Sequence, residues 1–190
     1  MPYLPEEYTS WVVPTTATDV AAGTLGSWSN DANALVASGN GASQVSSGVG
    51  DSNILQCAPA PAGTYDLIND GADITKIRVS YEVYITRSGT YAPSSYMILM
   101  NNGTQVGAAK DQTVGVQDAW FARDFEMTKA SYFPSGITGS QLKSGVYGPG
   151  YQIQNNDASE AGTTQIRGVQ IMVYYQNPVP EGSGLIFSEF

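Results

Sequence analysis

The chain has 190 residues, a net charge of -9 and no histidine. Its 8 Lys and Arg are scattered among 17 Asp and Glu, which excludes a basic groove for nucleic acid and disfavours an anionic membrane surface. Without histidine there is no Ser-His or Cys-His relay and none of the usual zinc or iron ligand sets.

Charged residues make up 13%, about half the usual share, while 21 glycines and 12 tyrosines accompany abundant Ser, Thr and Asn. That composition fits short strands joined by polar turns, in one large β domain that folds without staples. No apolar run approaches the ~18 residues of a membrane-spanning helix. The first residues, Met1 to Trp11, lack the basic-then-apolar order of a secretory leader. The lone Cys57 excludes an intramolecular disulfide and points to synthesis in a reducing cytoplasm.

Residues 1–23 are expected to form an arm, because Pro2, Pro5 and Pro14 interrupt regular structure and Glu6 and Glu7 are solvated. Tyr8, Trp11, Val12 and Val13 suit a short strand or a contact with a neighbouring subunit; a frayed terminus is the plainer alternative. Trp28 is expected to plug one end of the domain, and Asn30, Asp31 and Asn33 to form turns. Asn40-Gly41 is a tight-turn pair. Residues 52–57 predict a short strand that Pro59 and Pro61 end.

The strongest signal spans Ile74 to Thr86. Ile77, Val79, Tyr81, Val83 and Ile85 alternate with Lys76, Arg78, Ser80, Glu82 and Tyr84, the period of a half-buried antiparallel strand. Tyr96 to Met100 predicts a buried strand, Asn101-Asn102-Gly103 a hairpin turn, and Thr104 to Lys110 the return. In Trp120 to Met127, Phe121, Phe125 and Met127 are expected inside, and Trp120, Asp124 and Glu126 outside. Thr138 to Lys143 carries the one helical hint. The strand over 146–154 contains Gly148-Pro149-Gly150, which predicts a bend or a sheet edge. Val169, Ile171, Val173 and Tyr175 make a second amphipathic ribbon. The expected fold is all-β: an antiparallel β-sandwich with jelly-roll connectivity over 24–176. A linker and an apolar tail of Leu185, Ile186, Phe187 and Phe190 follow over 177–190. The tail either folds back or docks on a partner.

Site chemistry is sparse. Cys57 has no imidazole to activate it and suits a small buried thiol. Asp124 and Glu126 share a strand face, as glycosidase carboxylates can, but a solvated edge explains them better. Asn69-Asp70-Asp73 and Asn155-Asn156-Asp157 offer oxygen ligands without the spacing of a calcium loop, so no cofactor or metal is expected. The glycines from 145 to 150 lack the strand-loop-helix context and lysine of a phosphate loop. The best alternative chemistry is sugar stacking on aromatics in or near loops, Tyr91, Tyr132, Phe133, Tyr147 and Tyr151, although loop anchoring or subunit contact explains them better.

The order of motifs resembles a family of tailed-phage and phage-like virion proteins. Trp28 to Leu35 matches its Trp-x-Asn-x-x-Asn-Ala-Leu segment. Ile74 to Val79 matches an I-x-G-I-x-V phrase with Lys76 where glycine is usual. The Asn-Gly turn ending at Gly103 is followed by Val106 to Lys110, and Leu142 to Tyr151 matches a later segment loosely. The resemblance implies a non-enzymatic virion component with a jelly-roll-like fold, made in the host cytoplasm. It would be a capsid decoration (cement) protein, a trimer on the major capsid protein or other virion subunits, or else a tail or fibre component. A carbohydrate-binding host-adhesion module is the competing expectation.

Overall fold

The structure is a computed structural model and describes residues 2–87, 94–111, 117–157 and 161–181. Tyr91 and the apolar tail at Leu185, Ile186, Phe187 and Phe190 lie outside the described residues. Among the described residues, eleven strands fill two antiparallel sheets. One sheet holds β1 (Glu7–Tyr8), β3 (Ala42–Ser46), β6 (Asp73–Arg87), β9 (Gln117–Thr128) and β11 (Gly162–Gln176). The other holds β2 (Ala17–Val20), β4 (Gly50–Asp51), β5 (Ile54–Cys57), β7 (Ser94–Asn101), β8 (Thr104–Asp111) and β10 (Tyr147–Asn155). The orders β3-β11-β6-β9 and β5-β10-β7-β8 pair early strands with late ones in both sheets, which is the connectivity of a jelly roll.

The two amphipathic ribbons of the sequence are β6 and β11, and they lie side by side. Val79 faces Ile171 and Ile77 faces Val173 across the ladder. Val79, Tyr81, Val83 and Ile85 are 0–2% exposed, and Ile171 and Val173 are as deeply buried. Burying each such side chain stabilises the fold by about 1.5–3 kcal/mol before entropy is counted. Opposite them stand Leu55, Met97, Leu99, Tyr151 and Ile153 from the second sheet. Tyr81 and Tyr151 meet edge-on between the sheets, with ring centroids 5.6 Å apart. Trp28 closes this stack at 6.0 Å from Tyr151 and donates its indole N–H to the Asn53 carbonyl.

Several local expectations change. The arm is woven into the sandwich: residues 2–12 run along the edge of β11, and β2 pairs with β5 in the opposite sheet. The linker begins pinned, because Asn177 accepts from Leu4 N at 2.8 Å and Val179 N donates to Pro2 O at 3.0 Å. Phe121 sits at the inward parity of β9 yet is 42% exposed, because β9 is the last strand of its sheet among the described residues. Arg123, also at inward parity, lies opposite Tyr81; a charge directed inward from an edge strand resists pairing with other chains.

The Gly148-Pro149-Gly150 strand is not an edge, and it pairs with β7 without a register shift. It is β10, central between β5 and β7. β5 pairs only with Gly150 and Tyr151, so the missing N–H of Pro149 falls where that ladder has ended. The flanking glycines permit close packing: a Cβ on Gly148 would lie 2.1 Å from the Cys57 carbonyl oxygen. The helical hint is α2 (Gly139–Ser144), capped reciprocally by Thr138 and Gln141; a further turn, α1 (Lys129–Tyr132), follows β9.

Candidate functional site

The outward faces of the two sheets differ in chemistry. On the β6–β9–β11 sheet the charges neutralise one another. Lys76 reaches Glu126 at 3.2 Å, Arg78 pairs with Asp124, and Arg167 holds Glu82 at 2.6 Å. Lys76 lies 3.9 Å from the Tyr174 ring centre, and Arg167 the same distance from that of Trp120.

On the other sheet the outward positions of the central strands are uncharged. Alternation puts Thr18, Val20, Ile54, Gln56, Tyr96, Ile98, Met100, Gln152 and Gln154 outside. Ile54, Ile98 and Met100 form a small buried apolar cluster, with Val20 and Tyr96 packed against it. Gly150 makes room for it: a Cβ there would lie 2.6 Å from Met100 Cγ. Tyr96 donates its hydroxyl to Gln154 Oε1 at 3.2 Å, and Gln152 donates to the Ser52 carbonyl at 2.9 Å.

This face opens at one end into three adjoining clefts. One, of about 290 Å³, is lined by Thr16, Thr18, Val20, Gln56, Asn102 and Val146. A second, of about 440 Å³, lies between Asn101, Asn102, Gln141, Ser144 and Tyr147. A third, of about 420 Å³, lies among Pro59, Pro61, Tyr65, Asp66, Leu142 and Lys143.

The walls are stitched together by amides. Asn102 and Gly103 take left-handed φ values of 48° and 78°, which tightens the β7–β8 hairpin. Gln56 donates to the Val146 carbonyl at 3.0 Å and accepts from Gly103 N at 2.9 Å, while Asn101 accepts from Val146 N at 3.0 Å. A Cβ on Gly145 would come within 2.4 Å of the Tyr147 ring, so glycine lets that ring lie against the chain. Among the named wall residues only Asp66 and Lys143 carry charge, and Lys143 holds Asp70 at 2.9 Å. Burial in the third cleft pushes the Tyr65 phenol above its ordinary range.

Of the aromatics expected to stack on sugars, Tyr147 is half-buried in the second cleft. Tyr132 is half-buried on α1, away from the clefts. Tyr151 and Phe133 are corrected to core residues, 3% and 2% exposed, because Tyr151 faces inward on β10 and Phe133 closes α1. Along the arm, Tyr8 is 64% and Val13 39% exposed, whereas Trp11 and Val12 are half-buried. The arm's backbone is engaged on its own chain: Val12 and Ile171 exchange both backbone hydrogen bonds at 2.9 Å.

Asp70 and Asp73 each pair with a lysine, Lys143 and Lys129, and Asn155 is buried with its amide on the Gly48 carbonyl. Among the described residues no three Asp, Glu, His or Cys side chains gather as metal ligands. Cys57 is buried, and its thiol is pushed up to about 12 by desolvation and then by Asp31.

The sequence pattern does not mark the polar groove: the outward glutamines at 152 and 154 point only to an uncharged strand, and neither lines a cleft.

No family model and no curated protein matches the chain. Two similar solved structures are carbohydrate-binding modules. One is described as "CBM4 structure and function", with a TM-score of 0.40 and 11% identity, covering 85% of this chain and 92% of that one. The other is the CBM22-1 xylan-binding domain of Xyn10C from Paenibacillus barcinonensis, with a TM-score of 0.35 and 15% identity, covering 90% of this chain and 94% of that one. At this level of likeness neither neighbour identifies a ligand or a site in this chain.

Proposed function

We propose that the protein is a non-catalytic glycan-binding module, a host-adhesion module in the setting implied by the resemblance, and that its groove holds a neutral oligosaccharide. The observation that carries this is the amide-stitched groove around Gln56, Asn101, Asn102 and Tyr147, beside central strands whose outward positions are uncharged. Sugar hydroxyls need fixed donors and acceptors, and the apolar side of a pyranose needs an aromatic or aliphatic surface. The Asn and Gln side chains supply the first, held in place before any ligand arrives. Tyr147 and Val20, each half-buried in a cleft wall, supply the second. Charge selects against acidic glycans: the net charge is -9, and Lys76, Arg78, Lys129, Lys143 and Arg167 each hold a carboxylate.

A glycan array tests this directly. Neutral oligosaccharides should bind, uronate and sulfated ones should not, and Tyr147→Ala should abolish the signal without unfolding the protein. An array with no hits, or hits confined to acidic glycans, overturns it.

A second function, a structural virion component bound to capsid or tail subunits, is favoured by the exposed Tyr3, Tyr8 and Val13 along the arm. Mass spectrometry of assembled particles tests it. A copy number near that of the major capsid protein supports decoration of the head, a few copies point to the tail, and absence from particles removes it.

A further inference from the structure

We infer that Asn102 is a site of spontaneous deamidation that Gln56 holds closed, whatever ligand the groove takes. The chain contains two Asn-Gly pairs, Asn40-Gly41 and Asn102-Gly103. A glycine after asparagine has no Cβ to shield its nitrogen or restrict its backbone, so that nitrogen can reach the side-chain carbonyl carbon. Both asparagines are exposed, so water reaches them.

The reaction balances with water as the one co-reactant. The Gly103 nitrogen bonds to Asn102 Cγ, the Cγ–Nδ2 bond breaks, and ammonia leaves with the glycine's proton. Water then opens the cyclic imide. Opening at Cγ leaves aspartate. Opening at the main-chain carbonyl leaves isoaspartate, with the backbone rerouted through the side chain.

The two pairs differ in what the glycine N–H does. Gly103 N donates to Gln56 Oε1 at 2.9 Å. Attack needs that nitrogen stripped of its proton and turned about the Asn102 Cα–C bond toward Cγ. The bond to Gln56 retains the proton, and the turn breaks the bond. Gln56 is 6% exposed, so water competes little for its oxygen, and its own amide donates to the Val146 carbonyl at 3.0 Å. That carbonyl also accepts from Asn102 N at 3.2 Å. By contrast, the Gly41 N–H finds no acceptor among the described residues.

The position matters because Asn102 lines both the cleft at Thr18 and the cleft at Tyr147, whose named walls carry no charge. Conversion places a carboxylate in both. Isoaspartate also adds a backbone carbon to a turn that must still pair Asn101 with Thr104. Gln56 is thus a positioning residue that keeps these walls neutral.

The test incubates the full chain in mildly alkaline buffer, folded and, in parallel, unfolded in urea. Peptide mass spectrometry with an isoaspartate assay reads conversion at each Asn-Gly pair. In the folded chain Asn40 should convert ahead of Asn102. Asn102 should convert about tenfold or more slowly folded than in urea, the factor one retained hydrogen bond supports. Gln56→Leu removes the acceptor and should speed Asn102 by about tenfold, with circular dichroism confirming the fold. Asn101→Ala removes the neighbouring amide that accepts from Val146 N but leaves Gln56 in place, and should keep the rate near that of the native chain. Conversion of folded Asn102 as fast as in urea, or ahead of Asn40, overturns the inference. So does a Gln56→Leu rate that is unchanged or matched by Asn101→Ala. The folded-against-urea comparison needs no variant, so it decides the matter even where Gln56→Leu fails to fold.

Discussion

The two outward sheet faces differ in how their polar groups are spent. On the β6–β9–β11 face, Lys76, Arg78 and Arg167 are paired with carboxylates and laid over rings, so their charges are satisfied before any ligand comes. On the β5–β7–β10 face, Gln56 and Asn101 use part of their capacity to fix backbone around the groove. A primary amide has two donor hydrogens and two acceptor lone pairs, so fixing it with one or two bonds leaves capacity for a hydroxyl-rich ligand. The difference teaches that density of aromatic and charged groups is a poor guide to a binding face when those groups already bind each other.

The largest way to test this division is within β10, where residues 147 and 151 take opposite roles. Tyr151→Ala should cost about 3–5 kcal/mol, by analogy with other aromatic truncations in cores, because its ring stands between Trp28 and Tyr81. Urea denaturation reads that cost, and a loss under 1 kcal/mol would mean that the aromatic stack does not hold the sheets together.

Next in size is alkaline unfolding. Burial raises the Cys57 thiol from 9.0 to about 12 and the Tyr81 phenol from 10.0 to about 12. The folded state therefore keeps these protons after the unfolded chain has lost them. Their contribution is full below pH 9 and is lost as pH rises towards about 12. Melting temperature should fall steadily across that window, and Cys57→Ala should flatten its lower part. A melting temperature that is level from pH 9 to 11 contradicts the assignment.

Tyr147→Ala is a functional change rather than a structural one: about tenfold or greater loss of glycan affinity, with stability altered by about 1 kcal/mol or less. Stability loss comparable to that of Tyr151→Ala would make Tyr147 another core residue. The smallest effect is on the opposite face. Arg78→Ala should cost under about 1 kcal/mol, since its partners are partly exposed and salt screens them, and should leave glycan affinity unchanged. A drop in affinity would move the binding face to the charged sheet.

The sandwich was legible because alternation is a local signal. Val79, Tyr81 and Val83 announce one buried face, and Ile171 and Val173 announce its neighbour without any knowledge of the partner strand. Gly148-Pro149-Gly150 misled because the rule against central proline assumes a full ladder on both sides. Here the β5–β10 ladder stops at the Gln56–Gly150 pair, although β5 runs on to Cys57, and sequence spacing does not reveal this. Tyr151 misled for a related reason. It stands two residues beyond that proline in the same predicted strand, where nearness to loops suggests a sugar platform, whereas the alternation of β10 turns it inward. The groove was the least legible part. It is assembled from Thr16, Gln56, Asn102, Gln141 and Tyr147, far apart in the chain, and amides outside a motif carry no pattern that points to one another.

The most direct measurement is backbone chemical-shift mapping on titration with the tightest-binding neutral oligosaccharide from the array. The account predicts saturable shifts concentrated at Gln56, Asn102, Gly103, Gly145 and Tyr147, with Arg78, Glu126 and Tyr174 unmoved. Shifts centred on those last three residues, or no saturable shift at all, would contradict it.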